Sequence, residues 1–211
     1  PTLRSARRTQ SPSGRARATG SGLAQLQTRN VEVLGALKEP ERFARVATRL
    51  LKSPLTGFLG FRSCRSVALH AHYLHSMLVG GGVLLVDAYG TLIESIAGLP
   101  RRAVIVAIGL SPYSRQTIEG VQRAVTQGIA VVALTDSEVS PLARAASERL
   151  LFEAASPSFF HSLVGAHALV ERVMAELASR GGRAVLRRLD AREALLSETR
   201  AYWRSDSRRV D

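Results

Sequence analysis

Residues 104–120 read "VIVAIGLSPYSRQTIEG". The first six are apolar and mostly β-branched, with no polar position on either side of the alternation. Such a run is a strand buried on both faces. After Gly109 the chain turns small and hydroxylated, through Ser111, Pro112, Tyr113 and Ser114. Arg115 and Thr117 then open a helical pattern, with Ser114 where an N-cap belongs. A strand with no solvated face needs helices above and below it. That requirement points to a parallel sheet between two helical layers.

The flanking sequence repeats this unit. "LTGFLG" (55–60), "GGVLLVDA" (81–88), "AVIVAI" (103–108), "IAVVALT" (129–135) and "RLLFEA" (149–154) read as five short strands. Helical spacing fills the gaps at 64–78, 90–98, 114–127 and 140–147, and a long helix is expected over 158–179. Leu34, Leu37, Phe43, Val46, Leu50 and Leu51 recur at helical spacing before the first strand, with Pro40 as a break or a helix start. The expected fold is a three-layer α/β/α sandwich around a five-stranded parallel sheet, its crossovers right-handed. In such sheets ligands bind beyond the carboxyl ends of the strands, where the strand order reverses. Gly60–Ser66 and Gly109–Thr117 then lie on the binding edge.

Composition bounds the rest. At 45% hydrophobic residues, the 211-residue chain can bury one substantial core. No apolar run approaches the roughly 18 residues that span a bilayer, and no signal-peptide pattern stands before the domain. A single cysteine, Cys64, allows no internal disulfide. Both features fit a cytoplasmic protein without a membrane partner. Net charge is +12, and its placement decides how to read it. Residues 1–20 hold five arginines and no acid, and residues 180–211 hold nine arginines against five acids. The excess thus sits in the ends and not on a DNA-binding body. The ends read as solvated linkers or as basic arms of the kind that touch nucleic acid. Residues 1–29 are too polar to bury a core and are expected to be a flexible linker. The chain begins with Pro1, which suggests a segment upstream. The apolar surface of the 158–179 helix is wide enough to serve its own sheet and a second subunit.

The unpaired first N–H groups of a helix and its dipole favour an anion, and small hydroxyls add donors without bulk. Arg115 adds an always-charged fork suited to phosphate. The same residues also serve as ordinary helix caps. The second junction, "GFRSCRSVALHA" (60–71), offers Arg62, Ser63 and Cys64. It lacks the later glycines of a dinucleotide fingerprint, and no P-loop occurs in the chain. A thiol at a helix start beside arginines can have a lowered pKa, or can be a small filler. His70, His72 and His75 do not make a metal site, because residues two apart on a helix point about 200° apart. Proton-transfer candidates are Glu94, Glu153 and His161, none of them in a compelling motif.

Three stretches in order, "FLGFRSCRSVALHAHYL", "VIVAIGLSPYSRQTIEGVQRAVTQGIAVVALTDSEVSPLARAASERLL" and "SFFHSLVGAHALVE", resemble the sugar-isomerase (SIS) domain. More narrowly they resemble the ligand-sensing half of the MurR/RpiR family of bacterial transcriptional regulators. The resemblance covers about residues 30–180. It implies the SIS fold, a phosphorylated sugar or related acidic sugar metabolite as ligand, and a homodimer or homotetramer. It also implies operator DNA bound through an N-terminal helix-turn-helix domain upstream of this chain; no cofactor, metal or catalytic residue is expected from the residues themselves. The alternative is an SIS-fold phosphosugar isomerase or aminosugar-processing enzyme. The organisation expected is a linker over 1–29, an effector domain over 30–185, and a C-terminal helix with a basic tail over 186–211. The family's G-x-G-x-S motif falls on Gly60, Arg62 and Cys64, and its Ser/Thr phosphate loop on Ser114, Arg115 and Thr117. Arginine stands in a glycine place in each. It either adds charge for an acidic ligand or fills the site. Ligand contacts are expected from Arg62, Ser63, Cys64, Ser111, Ser114, Arg115, Thr117 and His161.

Overall fold

The computed structural model describes residues 20–36 and 39–203. Five strands form one parallel sheet: β1 (Thr56–Leu59), β2 (Gly82–Leu85), β3 (Val104–Gly109), β4 (Ala130–Thr135) and β5 (Glu148–Leu151). Their order is β2-β1-β3-β4-β5. The chain builds outward from β1 to β2, returns to β3, and then builds the other way to β5. The reversal falls between β1 and β3, which puts the crevice of a doubly wound sheet there.

All six residues of β3 are buried, as its apolar run requires. Val104, Val106 and Ile108 point to one face and Ile105 and Ala107 to the other, each face belonging to its own core. The first core takes Phe43, Val46 and Leu50 from α2 (Pro40–Lys52), Val67 and Ala71 from α3 (Cys64–Leu78), and Leu169, Val173 and Leu177 from α7 (Val164–Glu198). The second takes Leu92 and Ile96 from α4 (Leu92–Ala97), Val121 and Ala124 from α5 (Arg115–Thr126), and Leu142 from α6 (Pro141–Ala145). The result is the expected three-layer α/β/α sandwich. Each large aliphatic side chain so buried contributes about 1.5–3 kcal/mol. Pro40 and Pro141 both occupy first-turn positions, where the missing N–H costs nothing.

Strand and helix positions agree with the sequence reading to within a few residues. Three expectations are corrected. The linker expected over residues 1–29 is helical from Gly20: α1 spans Gly20–Ala36, and residues 1–19 lie outside the described residues. Distant contacts hold α1 in place. Asn30, nearly fully buried, donates through Nδ2 to the Ala155 carbonyl at 2.9 Å, and Arg172 donates to the Leu34 carbonyl. The long helix starts at Val164 and not at 158, because Pro157 and a run of local serine turns keep residues 156–163 irregular. It also runs on into the C-terminal helix expected from 186, reaching Glu198 through a kink at Gly182. Gly182 has φ 50° and ψ −135°, a conformation essentially reserved for glycine. Beyond the kink Arg188 lies against Gly80, just after the end of α3. The basic tail from 204 lies outside the described residues.

Candidate functional site at the β1 and β3 strand ends

The register pairs Leu59 with Ala107, so Gly60 leaves the sheet beside Ile108 and the two following turns lie side by side. In the first turn, a Cβ on Gly60 would sit 2.7 Å from the Cys64 carbonyl oxygen, so only glycine lets α3 begin this close to the strand. Arg62 is exposed and has φ 57°, the left-handed region that favours glycine. Ser63 is exposed in the cap position without a capping bond from its side chain. Cys64 is buried, and burial pushes its thiol up to about 11. Hydrogen bonds to the Leu110 backbone and to Ser63 oppose this without overcoming it. The lowered-pKa reading of Cys64 is therefore corrected, and the thiol is a buried core group.

The second turn runs from Gly109 to Ser114, with a cis Ser111–Pro112 bond. Asp136, at the end of β4, organises it. Its Oδ2 accepts from the Ser111 N–H at 3.1 Å, and its Oδ1 accepts from the Tyr113 hydroxyl at 2.8 Å. Burial first, and then this carboxylate, push the Tyr113 phenol up to about 12. Thr135 Oγ1 lies 3.2 Å from Asp136 Oδ1 and 3.1 Å from Ser140 Oγ, and Ser140 Oγ caps α6 by accepting from the Ala143 N–H. The Ser111 amide is thus already engaged. Asp87, after β2, accepts from Gln116 Nε2 at 2.9 Å and from the Leu92 N–H at 3.3 Å, fixing the first turn of α5 from the other side.

Between these anchors, Ser114 Oγ and Thr117 Oγ1 are both shut off from solvent and have no hydrogen-bond partner. Thr117 is 1% exposed. A buried hydroxyl left unsatisfied costs about 1–3 kcal/mol, so two adjacent ones at a helix start mark a place short of a partner. The N–H groups of the first turn of α5 are unpaired there as in any helix, and no acid stands in that turn. Hydroxyls and helix amides are the donors that suit phosphate oxygens, and here the two hydroxyls lie just beneath the surface at the helix start.

The remaining expected residues are placed less centrally. The Arg115 side chain is 90% exposed and pairs with Glu119 at 3.1 Å along its own helix. His161 is exposed in the irregular segment before α7, not on the helix. Among the described residues, no hydrogen bond or ion pair joins it to either turn. The α3 histidines go three ways: His70 to Glu171 at 3.6 Å, His72 to the Gly82 carbonyl at 3.2 Å, and His75 into the core. Asp136, Asp87 and Gln116 were not singled out from sequence. The signal for Asp136 was present, as the first acidic residue after an apolar strand on the binding edge.

The family model for the SIS domain matches residues 58–175, from β1 into α7. The chain belongs to the SIS-domain family. Among solved structures, this SIS domain is similar to the sugar isomerase domain of an RpiR transcription factor from Sphaerobacter thermophilus. The TM-score is 0.78 at 22% identity, over 88% of this chain and 100% of that one. It is also similar to the Vibrio vulnificus NanR protein complexed with ManNAc-6P, with a TM-score of 0.77 at 19% identity over 89% of this chain and 72% of that one. A Listeria monocytogenes protein described as a sugar-phosphate isomerase matches with a TM-score of 0.57 at 13% identity, over 87% of this chain and 89% of that one. None of the curated proteins matches this SIS domain in sequence. Among the described residues, no helix is long and apolar enough to cross a membrane.

Proposed function

We propose that this SIS domain is the effector-sensing and dimerisation part of an RpiR-type transcriptional regulator, acting in the cytoplasm. It binds a phosphorylated sugar or a related acidic sugar metabolite, and does not turn it over. The ligand's phosphate sits at the start of α5, on Ser114, Thr117 and the first-turn amides, with Arg62 and Ser63 from the neighbouring turn. One observation carries the reading: two buried hydroxyls without partners stand at a helix start on the switch point of the sheet. The ManNAc-6P complex of a protein with this fold supports a sugar phosphate as the ligand class. Binding that favours one subunit arrangement over another then shifts operator DNA binding by a helix-turn-helix domain upstream. Exposed Leu69 and Tyr73, one helical turn apart on α3, support a second copy as the partner of that face. The domain division proposed is a linker ahead of α1, the effector domain through the Gly182 kink, and a C-terminal helical extension.

The test is a thermal-shift and calorimetry screen of hexose and aminosugar phosphates, ManNAc-6P included. A stabilising ligand whose affinity falls about tenfold or more in Thr117→Val is expected. A screen with no hit, or a hit indifferent to Thr117→Val, rejects the site. NMR of the ligand after long incubation separates sensing from isomerisation, since conversion of the ligand would make the chain an isomerase.

A further inference from the structure

Positive charge also gathers at the opposite, amino-terminal edge of the sheet. A cleft of about 690 Å³ opens there between the last turn of α2, the turn into β3 and α7. Arg49 and Lys52 line it from α2, Arg101 and Arg102 from the β3 turn, and Arg180 from α7. Glu148 is the acid in the lining, and Arg45 already holds it at 3.0 Å. Arg180 is held by Glu176. Among the described residues, Arg49, Lys52, Arg101 and Arg102 have no acidic partner. Arg49 Nε is shut off from solvent without an acceptor.

Basic side chains in the last turn of a helix complement its dipole, which accounts for part of the presence of Arg49 and Lys52. It does not account for Arg101 and Arg102, which come to the same cleft from a separate turn. Nor does it supply an acceptor for the sealed Arg49 nitrogen. Unpaired like charges around one hollow repel each other, and a multiply charged anion relieves that repulsion. Guanidinium forks match phosphate oxygens two at a time. The volume lies within the range of small-molecule sites.

We propose that this cleft is a second ligand site, for a small polyanion bearing two or more phosphate groups, separate from the site at the β1 and β3 strand ends. It rests on the charge and shape of the amino-terminal edge and stands independently of the effector reading.

The probe is inorganic tripolyphosphate, titrated calorimetrically into the 211-residue chain at physiological salt, where long-range surface attraction is largely screened. Saturable binding at one site per chain is expected. Arg101→Glu/Arg102→Glu, both at exposed positions, weakens it roughly tenfold or more. Lys52→Glu, also exposed, is the second variant and lowers affinity in the same direction. Arg187→Glu, exposed beyond the α7 kink, controls for net charge and leaves affinity within about twofold. No saturable binding, or equal weakening by Arg187→Glu, overturns the proposal. Loss of binding in Thr117→Val puts the probe at the other edge and overturns it as well. A 20-base-pair duplex is titrated in parallel. Duplex binding that the charge reversal abolishes and tripolyphosphate does not displace would make the surface a nucleic-acid contact, and also overturns the small-polyanion site.

Discussion

Asp136 holds Tyr113: the phenol donates to its Oδ1 at 2.8 Å, while its Oδ2 accepts from the Ser111 N–H at 3.1 Å. One carboxylate at the end of β4 therefore shapes the turn that leads from β3 into α5. The two unpartnered hydroxyls follow directly on this turn. A residue outside the proposed ligand contacts thus sets the geometry of those within them.

Tyr113→Phe removes the phenol donor and leaves Asp136 bonded to the backbone. The expected loss of stability is about 1–2 kcal/mol, or a few degrees in Tm for a domain of this size. Loosening of the turn should lower sugar-phosphate affinity more than it lowers Tm in proportion. Calorimetry on a variant matched for folded fraction checks this. An unchanged affinity would make the Asp136 network purely structural.

Thr117→Val should have opposite effects on stability and on binding. Its hydroxyl is buried without a partner, so an isosteric methyl relieves an unsatisfied group, and the unliganded protein should be equally stable or up to about 1 kcal/mol more stable. The stabilisation that ligand confers should shrink or disappear. Melting curves with and without the best phosphosugar read both effects at once. A variant that loses stability without ligand would show that Thr117 has an internal partner.

The sheet was legible because each strand is a run of apolar residues bounded by punctuation, and because local pattern and burial agree from Val104 to Gly109. The strand order, and with it the switch point between β1 and β3, was not legible, because side-by-side placement of strands is decided by packing and not by chain order. The first half of α1 was illegible because "GSGLAQLQTRN" carries little apolar period, and the helix is held by Asn30 and Leu34 contacts with residues more than a hundred positions away. The start of α7 was misplaced because Phe159 and Phe160 look like the opening of an apolar helical face, whereas both are exposed and stack edge-on against each other before the helix begins. At the site, Ser114 and Thr117 were readable from residue type and position. The outward turn of Arg115 was not, because pairing with Glu119 one helical turn on is a competition between solvent, neighbour and ligand that sequence spacing does not decide.

Arg62 stands in a conformation that glycine adopts without cost, with φ 57° at the binding edge. Arg62→Gly should therefore stabilise the unliganded fold by about 1 kcal/mol, less the added chain entropy of glycine. If its guanidinium meets the ligand, affinity falls in the same variant. Chemical denaturation and ligand titration of Arg62→Gly and Arg62→Lys separate the two contributions, since lysine keeps the charge and the strain. Equal affinity in all three proteins would remove Arg62 from the site.

His75 is 1% exposed, and neither ring nitrogen has a partner. Burial, then His72 and Arg188, push its pKa down to about 4. Phe58 packs edge-on against it, and Gly82 lies against its Nδ1. The ring is therefore neutral in the folded state while it titrates near 6.5 in the unfolded chain. Between those values the unfolded chain binds more protons, so stability falls as pH drops from about 6.5 toward 4 and levels off for this group below that. The full difference is about 3 kcal/mol. His167, also pushed down by burial and by His70, adds a smaller slope of the same sign. His75→Leu, similar in volume and without a titrating group, should flatten most of the decline in urea-unfolding free energy between pH 6.5 and 4.5. A wild-type slope retained in that variant would assign the acid sensitivity to other groups.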